Sequence, residues 1–173
     1  MIDFKKKDKK YLILTILVTA LAIAFNIFIV VQASLNGSMS TSSSGIAVNF
    51  FKSIINAFHK DAINESNIDT FRHVIRKLIG HFSFFMISGL LSSLAIHLSS
   101  VYLNKYKYWY GIVFSLCFGL FLAGLTELIQ SFIPSRSGQI SDVLIDFSGY
   151  ILGTGIIVLI VFLVIRHHKK KVQ

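Results

Sequence analysis

Four unbroken apolar runs, at residues 11–31, 79–98, 109–133 and 143–165, constrain this chain more than any other feature. Each is close to the length of about 20 residues with which an α-helix crosses a bilayer core. Runs of this kind satisfy their backbone groups in hydrocarbon only as helices, and the weak alternation of a membrane β-barrel is absent. The composition agrees. With 54% hydrophobic residues in 173 and a mean hydropathy of +0.69, the chain is too apolar for an ordinary soluble domain. The sequence therefore predicts an all-α integral membrane protein with four transmembrane helices and an extracytoplasmic interfacial helix between the first and second. Residues 1–33 read as a basic N-terminus and first anchor. Residues 34–68 read as an extracytoplasmic serine-rich linker and amphipathic helix, 69–166 as a helical membrane domain, and 167–173 as a basic cytoplasmic tail.

Basic residues set the orientation. They cluster at Lys5 to Lys10, at Lys105 and Lys107, and at Arg166 to Lys171. The positive-inside rule puts all three clusters, and both termini, on the cytoplasmic side of a plasma membrane. Tyr102, Tyr106, Tyr108, Trp109 and Tyr110 then form a cytoplasmic aromatic belt, and the turn from Pro134 to Asp142, with Arg136 alone, faces outward. The loop at 32–78 is discordant in carrying Lys52, Lys60, Arg72, Arg76 and Lys77, partly offset by Asp61, Glu65 and Asp69. Val31, Gln32 and Ala33 resemble a signal-peptide cleavage site, but the preceding apolar run exceeds the usual core of about 7–15 residues, which favours an uncleaved anchor. The net charge of +9 reads as membrane orientation and attraction to anionic lipid. No basic-aromatic module points to nucleic acid. Cys117 stands alone, which excludes an internal disulfide and leaves it a packing role.

The outer loop begins with Ser34 to Gly45, where six serines, Thr41 and two glycines suggest a flexible linker. Val48, Phe51, Ile54, Ile55 and Phe58 then recur at helical spacing, opposite Asn49, Lys52, Asn56, His59 and Lys60. This pattern suits a helix lying on the outer leaflet or packed against the bundle. Asp69 or Thr70 is placed to cap a helix that runs on into the second span.

Ionisable groups inside the apolar runs need a partner or water, so they mark a candidate site. His73, Lys77 and His81 recur every four residues as one polar stripe, with Arg76 beside it. For His73 and Arg76 a solvated helix end is the simpler account, whereas His81 lies within the run. Glu127 and Gln130 share a face near the outer end of the third span. Pro134, Ser135, Arg136, Ser137 and Gly138 form the turn after it. Ser141 suits an N-cap, with Asp142 in the first turn of the fourth span. Asp142, Asp146, Gly149 and Gly153 descend at steps of four, three and four residues on a face that points into the bundle. The topology brings Lys77, His81, Glu127, Gln130, Arg136, Asp142 and Asp146 to one level near the outer surface as a ligand-binding set. His81 with Glu127 or Asp142 are the candidates for acid and base if the cluster is catalytic. Neither a G-x-S-x-G elbow, a phosphate-cradling loop nor an H-E-x-x-H pair is present. No spacing motif supports metal binding by His81, Glu127, Asp142 and Asp146, and neither metal nor cofactor is expected.

Lys77, His81-Phe82, Thr126-Glu127-Leu128-Ile129-Gln130, Pro134, Arg136, Asp142, Gly149 and Gly153 together resemble the VanZ-like membrane family, over about Lys77 to Gly155. Two positions depart from the family pattern: Asp146 stands where asparagine is common, and Phe85 where tyrosine is frequent. The resemblance implies a role in glycopeptide resistance, chiefly to teicoplanin, in the Gram-positive cell envelope. It does not imply a defined biochemical activity. The preferred reading is a membrane protein that binds an envelope lipid, a lipid-linked cell-wall precursor or a lipophilic glycopeptide at an outward polar cluster. There Lys77 and Arg136 would contact phosphate, and the acids would orient polar headgroup atoms. A membrane enzyme acting on such a lipid is the alternative, and a cluster of ion pairs that only fixes helix packing is another. A transporter has less support, since no repeated half and no midplane acid pair is evident.

Overall fold

The computed structural model describes residues 9–35, 37–103, 108–134 and 136–172, and among these it contains helices and turns but no strand. The elements are α1 (Lys9–Ala33), α2 (Gly37–Phe58), α3 (Ile68–Ile75), a π-helical segment (Arg76–Ser83), α4 (Phe84–Tyr102), α5 (Tyr108–Ser131) and α6 (Ile140–Val172). Helix α3, the π segment and α4 form one continuous rod, Ile68–Tyr102. With Lys9–Ala33, Tyr108–Ser131 and Ile140–His167 it makes four helices long and apolar enough to cross a membrane. The four predicted runs are thus the four long helices. The second is the longest at 35 residues, about 50 Å at 1.5 Å per residue, so it projects beyond a core about 30 Å thick.

Helix α4 is the centre of the bundle, packing against α1, α5 and, most extensively, α6. Its seam with α6 depends on missing side chains. A Cβ on Gly149 would collide with the Phe82 carbonyl, one on Gly153 with the Met86 carbonyl, and one on Gly89 with the Tyr150 carbonyl. Close backbone approach of this kind drives association in lipid, where apolar burial alone gives no preference for protein over tails. The buried interior is correspondingly small and polar. Ser88, Ser93, Ser115, Thr126 and Thr154 are buried, while Leu17, Phe114, Phe121 and Leu159 face outward. Ser88 Oγ donates to Asn26 Oδ1 at 2.5 Å and Asn26 Nδ2 donates to Ser92 Oγ at 3.0 Å, tying α1 to α4. Tyr150 fills the space left by Gly119 and is completely buried.

Four local expectations are corrected. The segment read as a flexible linker is largely helical, because α2 already begins at Gly37; serine opposes helix only weakly, and its backbone can continue a helix that starts there. Asn67, rather than Asp69 or Thr70, holds the N-cap position of α3, without a side-chain capping bond. Helix α6 starts at Ile140, so Ser141 lies inside its first turn rather than at the cap, although Asp142 does fall in that turn. Cys117 is exposed on the outside of the bundle rather than packed within it. Lys5, Lys7, Lys105, Tyr106, Lys107 and Ser135 lie outside the described residues.

Helix α2 packs on the bundle through one side and leaves an apolar stripe on the other. Val48 is buried and Phe51 and Ile55 are half-buried, with α2 packed on α3 and the π segment. Ile46, Phe50, Ile54 and Phe58, spaced every four residues, stay exposed on the opposite side, as an interfacial helix requires.

The glycine seam generates a test. Gly153→Val should lower the thermal unfolding midpoint of the detergent-solubilised protein by several degrees, since the obstructing atoms are backbone and overpacking costs about 1–3 kcal/mol even where side chains yield. Gly155→Ala, with nothing within 4 Å of the added Cβ, should leave the midpoint unchanged.

Candidate functional site

The π segment builds the site. Where hydrogen bonds skip five residues instead of four, residues five apart come to share a face. Arg76 and His81 would point apart on an α-helix, but here both line one cavity of about 320 Å³. Of the stripe His73, Lys77 and His81 expected from α-helical spacing, Lys77 and His81 still face the acids of α6 together. His73 stays exposed on α3, Lys77 is half-buried, and His81 is buried at 7% exposure. π-Helical turns inside α-helices are frequent at functional sites, and the wider turn re-aims side chains here.

The cavity lies between α1, α2, the π segment, α5 and the loop before α6. Phe28, Ile29, Ile75 and Phe84 supply apolar walls, while His81, Gln130 and Asp146 are polar lining groups and Arg76 and Arg136 are cationic ones. Behind it the acids are held individually. Asp142 Oδ1 is 2.7 Å from Lys77 Nζ, an ion pair in which the acid is buried and the lysine about one-third exposed. Asp146, at 0% exposure, lies with Oδ1 3.0 Å from His81 Nδ1, within hydrogen-bond distance. Asp142 Oδ2 is 3.9 Å from the other ring nitrogen. Glu127 accepts from Gln130 Nε2 at 3.2 Å and from the Gln139 backbone N–H at 2.8 Å. That last contact requires Gly138, whose Cβ would stand 2.7 Å from the Glu127 carbonyl.

Arg136 reaches across to α1. Its Nη1 donates to the carbonyls of Ala33 at 3.0 Å and Gln32 at 3.5 Å, two of the carbonyls that a helix C-terminus leaves without intrahelical partners. Burial holds its pKa below the ordinary arginine value, as does Arg76 nearby, while Glu127 acts in the opposite sense. A guanidinium remains charged regardless.

The predicted cluster therefore assembles. His81, Glu127, Gln130, Asp142 and Asp146 are all buried where the π segment, α5 and α6 meet. Gly149 and Gly153 are on the same inward face of α6. Lys77 pairs with Asp142 and lines a shallow groove with Phe82 and Leu144 rather than the main cavity, beside which Arg76 stands. The sequence reading missed three contributors. Arg76 was obscured because nothing in the apolar spacing announces a π turn. Thr126, 1% exposed, also lines the cavity and could have been found from its place one residue before Glu127. The Gln139 backbone N–H has no side-chain signature at all.

Fold and site define a multi-pass α-helical membrane protein whose spans bury a histidine and three acids beside an amphiphilic cavity. The chain belongs to the VanZ/LLP1 family, whose model matches residues 11–162. The match extends beyond the motif-bearing half to include the first span and the serine-rich segment. Comparisons with curated proteins and with solved structures each gave no match.

The Lys77–Asp142 pair yields a stability prediction. Removing the cation by Lys77→Met leaves a buried carboxylate without its counter-ion and should cost about 2 kcal/mol, below the ~3–5 kcal/mol of a fully buried pair because the lysine is partly exposed. Adding Asp142→Asn to that variant should restore most of the loss, as read from thermal unfolding of the two proteins.

Proposed function

We propose that the cavity binds the phosphate-bearing headgroup of a membrane lipid or lipid-linked cell-wall precursor, and that the protein contributes by this route to glycopeptide resistance, chiefly to teicoplanin. The observation that carries the reading is the pairing of two arginines with apolar walls. Arg76 and Arg136 line the same space as Phe28, Ile29 and Phe84, the arrangement an anionic amphiphile needs, with phosphate at the guanidinium groups and chains along the aromatic side. With both termini cytoplasmic, as the basic clusters suggest, this space opens at the outer leaflet. The exposed stripe of α2 would rest on that leaflet beside it.

Binding has more support than acid–base catalysis. Asp142 is engaged by Lys77, and both oxygens of Glu127 accept hydrogen bonds, so neither acid is poised as a base toward the cavity. His81 is the remaining catalytic candidate, and its ring is oriented by Asp146. Lys77 acts in this reading through Asp142, while the phosphate contact passes to Arg76.

The test is lipid binding by purified protein in nanodiscs, with phosphatidic acid compared against phosphatidylcholine. Preference for the anionic lipid is expected, with a loss of about tenfold in Arg76→Ala, the equivalent of one charge-assisted hydrogen bond. Equal binding of both lipids would overturn the headgroup assignment. The physiological part is read from teicoplanin susceptibility of a deletion strain complemented with wild type, Glu127→Gln or Arg136→Lys at matched membrane abundance. Both variants are expected to lose protection, and an unchanged susceptibility on deletion would detach the protein from resistance.

A further inference from the structure

We infer that His81, Glu127 and Asp146 form a binding site for one divalent transition-metal ion beside the cavity. One ligand atom from each lies within 4.8 Å of the others, and all three residues are buried. They come from three different elements, the π segment, α5 and α6, so no linear spacing motif could announce them. A tetrahedral ion with bonds of about 2.1 Å separates its ligand atoms by about 3.4 Å. The His81 Nδ1 to Asp146 Oδ1 distance of 3.0 Å therefore needs only a small opening to admit it.

A second observation is independent of this proximity. Asp146 is completely buried and lines the cavity, yet its Oδ2 has no hydrogen-bond partner among the described residues. An unsatisfied carboxylate oxygen in a membrane interior is costly. Lys77 pairs with Asp142 and Arg136 donates to the end of α1, while Arg76, which lines the same cavity, forms no ion pair with Asp146 among the described residues. Two acids and one imidazole facing one another lack the charge that a divalent ion supplies.

The surroundings resemble those that support metal ligands elsewhere. Gln130 and the Gln139 N–H fix the Glu127 carboxylate, while the Asp142 carboxylate, 3.9 Å from His81 Nε2, acts on the ring by charge and not by a hydrogen bond. Outer groups that orient ligands in this way tune affinity by about 10–100-fold. A single imidazole with two carboxylates suits Zn²⁺ or Mn²⁺ better than an all-oxygen Ca²⁺ site. Three protein ligands leave a coordination position toward the cavity. An ion there could accept a phosphate oxygen, and that clause alone rests on the lipid-binding reading.

The experiment uses the full chain in detergent, carrying a histidine-free affinity tag, stripped with chelator and titrated calorimetrically with ZnCl₂ and MnCl₂. At least one of the two ions should bind with one equivalent per chain. Asp146→Asn, nearly isosteric, should weaken it at least tenfold, and His81→Ala and Glu127→Gln likewise, whereas His73→Ala on the exposed face should not. Thermal unfolding of each variant checks the fold, and a metal-dependent rise in the wild-type midpoint that Asp146→Asn abolishes gives a second readout. Absence of binding by either ion, or equal binding by wild type and H81A/E127Q/D146N, would overturn the site. Phosphatidic acid binding by the stripped protein separates the two proposals: lipid binding without metal binding sinks only this one, and metal binding without lipid binding sinks only the other.

Discussion

Three carboxylates buried where spans meet impose the arrangement around them. Each is costly in a low-dielectric interior unless neutralised or hydrogen-bonded, and each is met by a different device: Lys77 for Asp142, His81 for one oxygen of Asp146, and Gln130 with a loop amide for Glu127. To serve two acids on α6, the second rod must present Lys77 and His81 at the right depth and angle. The π segment accompanies this presentation. Because a wider turn also brings Arg76 round beside His81, the same distortion that serves the acids opens a cationic side to the cavity.

The glycine seam is the mechanical counterpart of that electrostatic demand. Gly149 and Gly153 bring the α6 backbone against the carbonyls of Phe82 and Met86, which sets the rod close enough for Lys77 and His81 to reach Asp142 and Asp146. A larger side chain at either glycine would therefore disturb the ion pairs as well as the packing. On the other side of the cavity, Arg136 fastens the end of α1. Two of its walls, Phe28 and Ile29, belong to that helix, so cavity shape and loop position are linked through one guanidinium.

Much of this was legible from the residues. Apolar run length gave the four spans, because backbone groups in lipid have so few ways to be satisfied. The cluster of His81, Glu127, Gln130, Asp142 and Asp146 followed from topology together with the expense of burying polar groups, and the three- and four-residue steps of α6 correctly placed both acids and both glycines inward. What could not be read depends on local departures from regularity. Apolar spacing assumes an α-helix, so the place of Arg76 beside the main cavity was hidden by the π turn. The helical start of α2 within a serine-rich stretch defied composition, because serine's weak helix preference is easily overridden by context. Cys117 was assigned to packing because it lies in a span, yet a span in lipid has an outside as well as an inside.

The central claim is that the space beside Arg76 opens to the outer face and holds an anionic amphiphile. Gly80 lines that space, and the nearest atom to an added Cβ there is Arg76 Cγ at 3.8 Å, so a cysteine fits. In a Cys117→Ser background, Gly80→Cys should react in right-side-out vesicles with a membrane-impermeant thiol reagent, and enriching the vesicles in phosphatidic acid should slow the reaction. Labelling that occurs only from the cytoplasmic side, or that proceeds at the same rate whatever the anionic lipid content, would contradict the account.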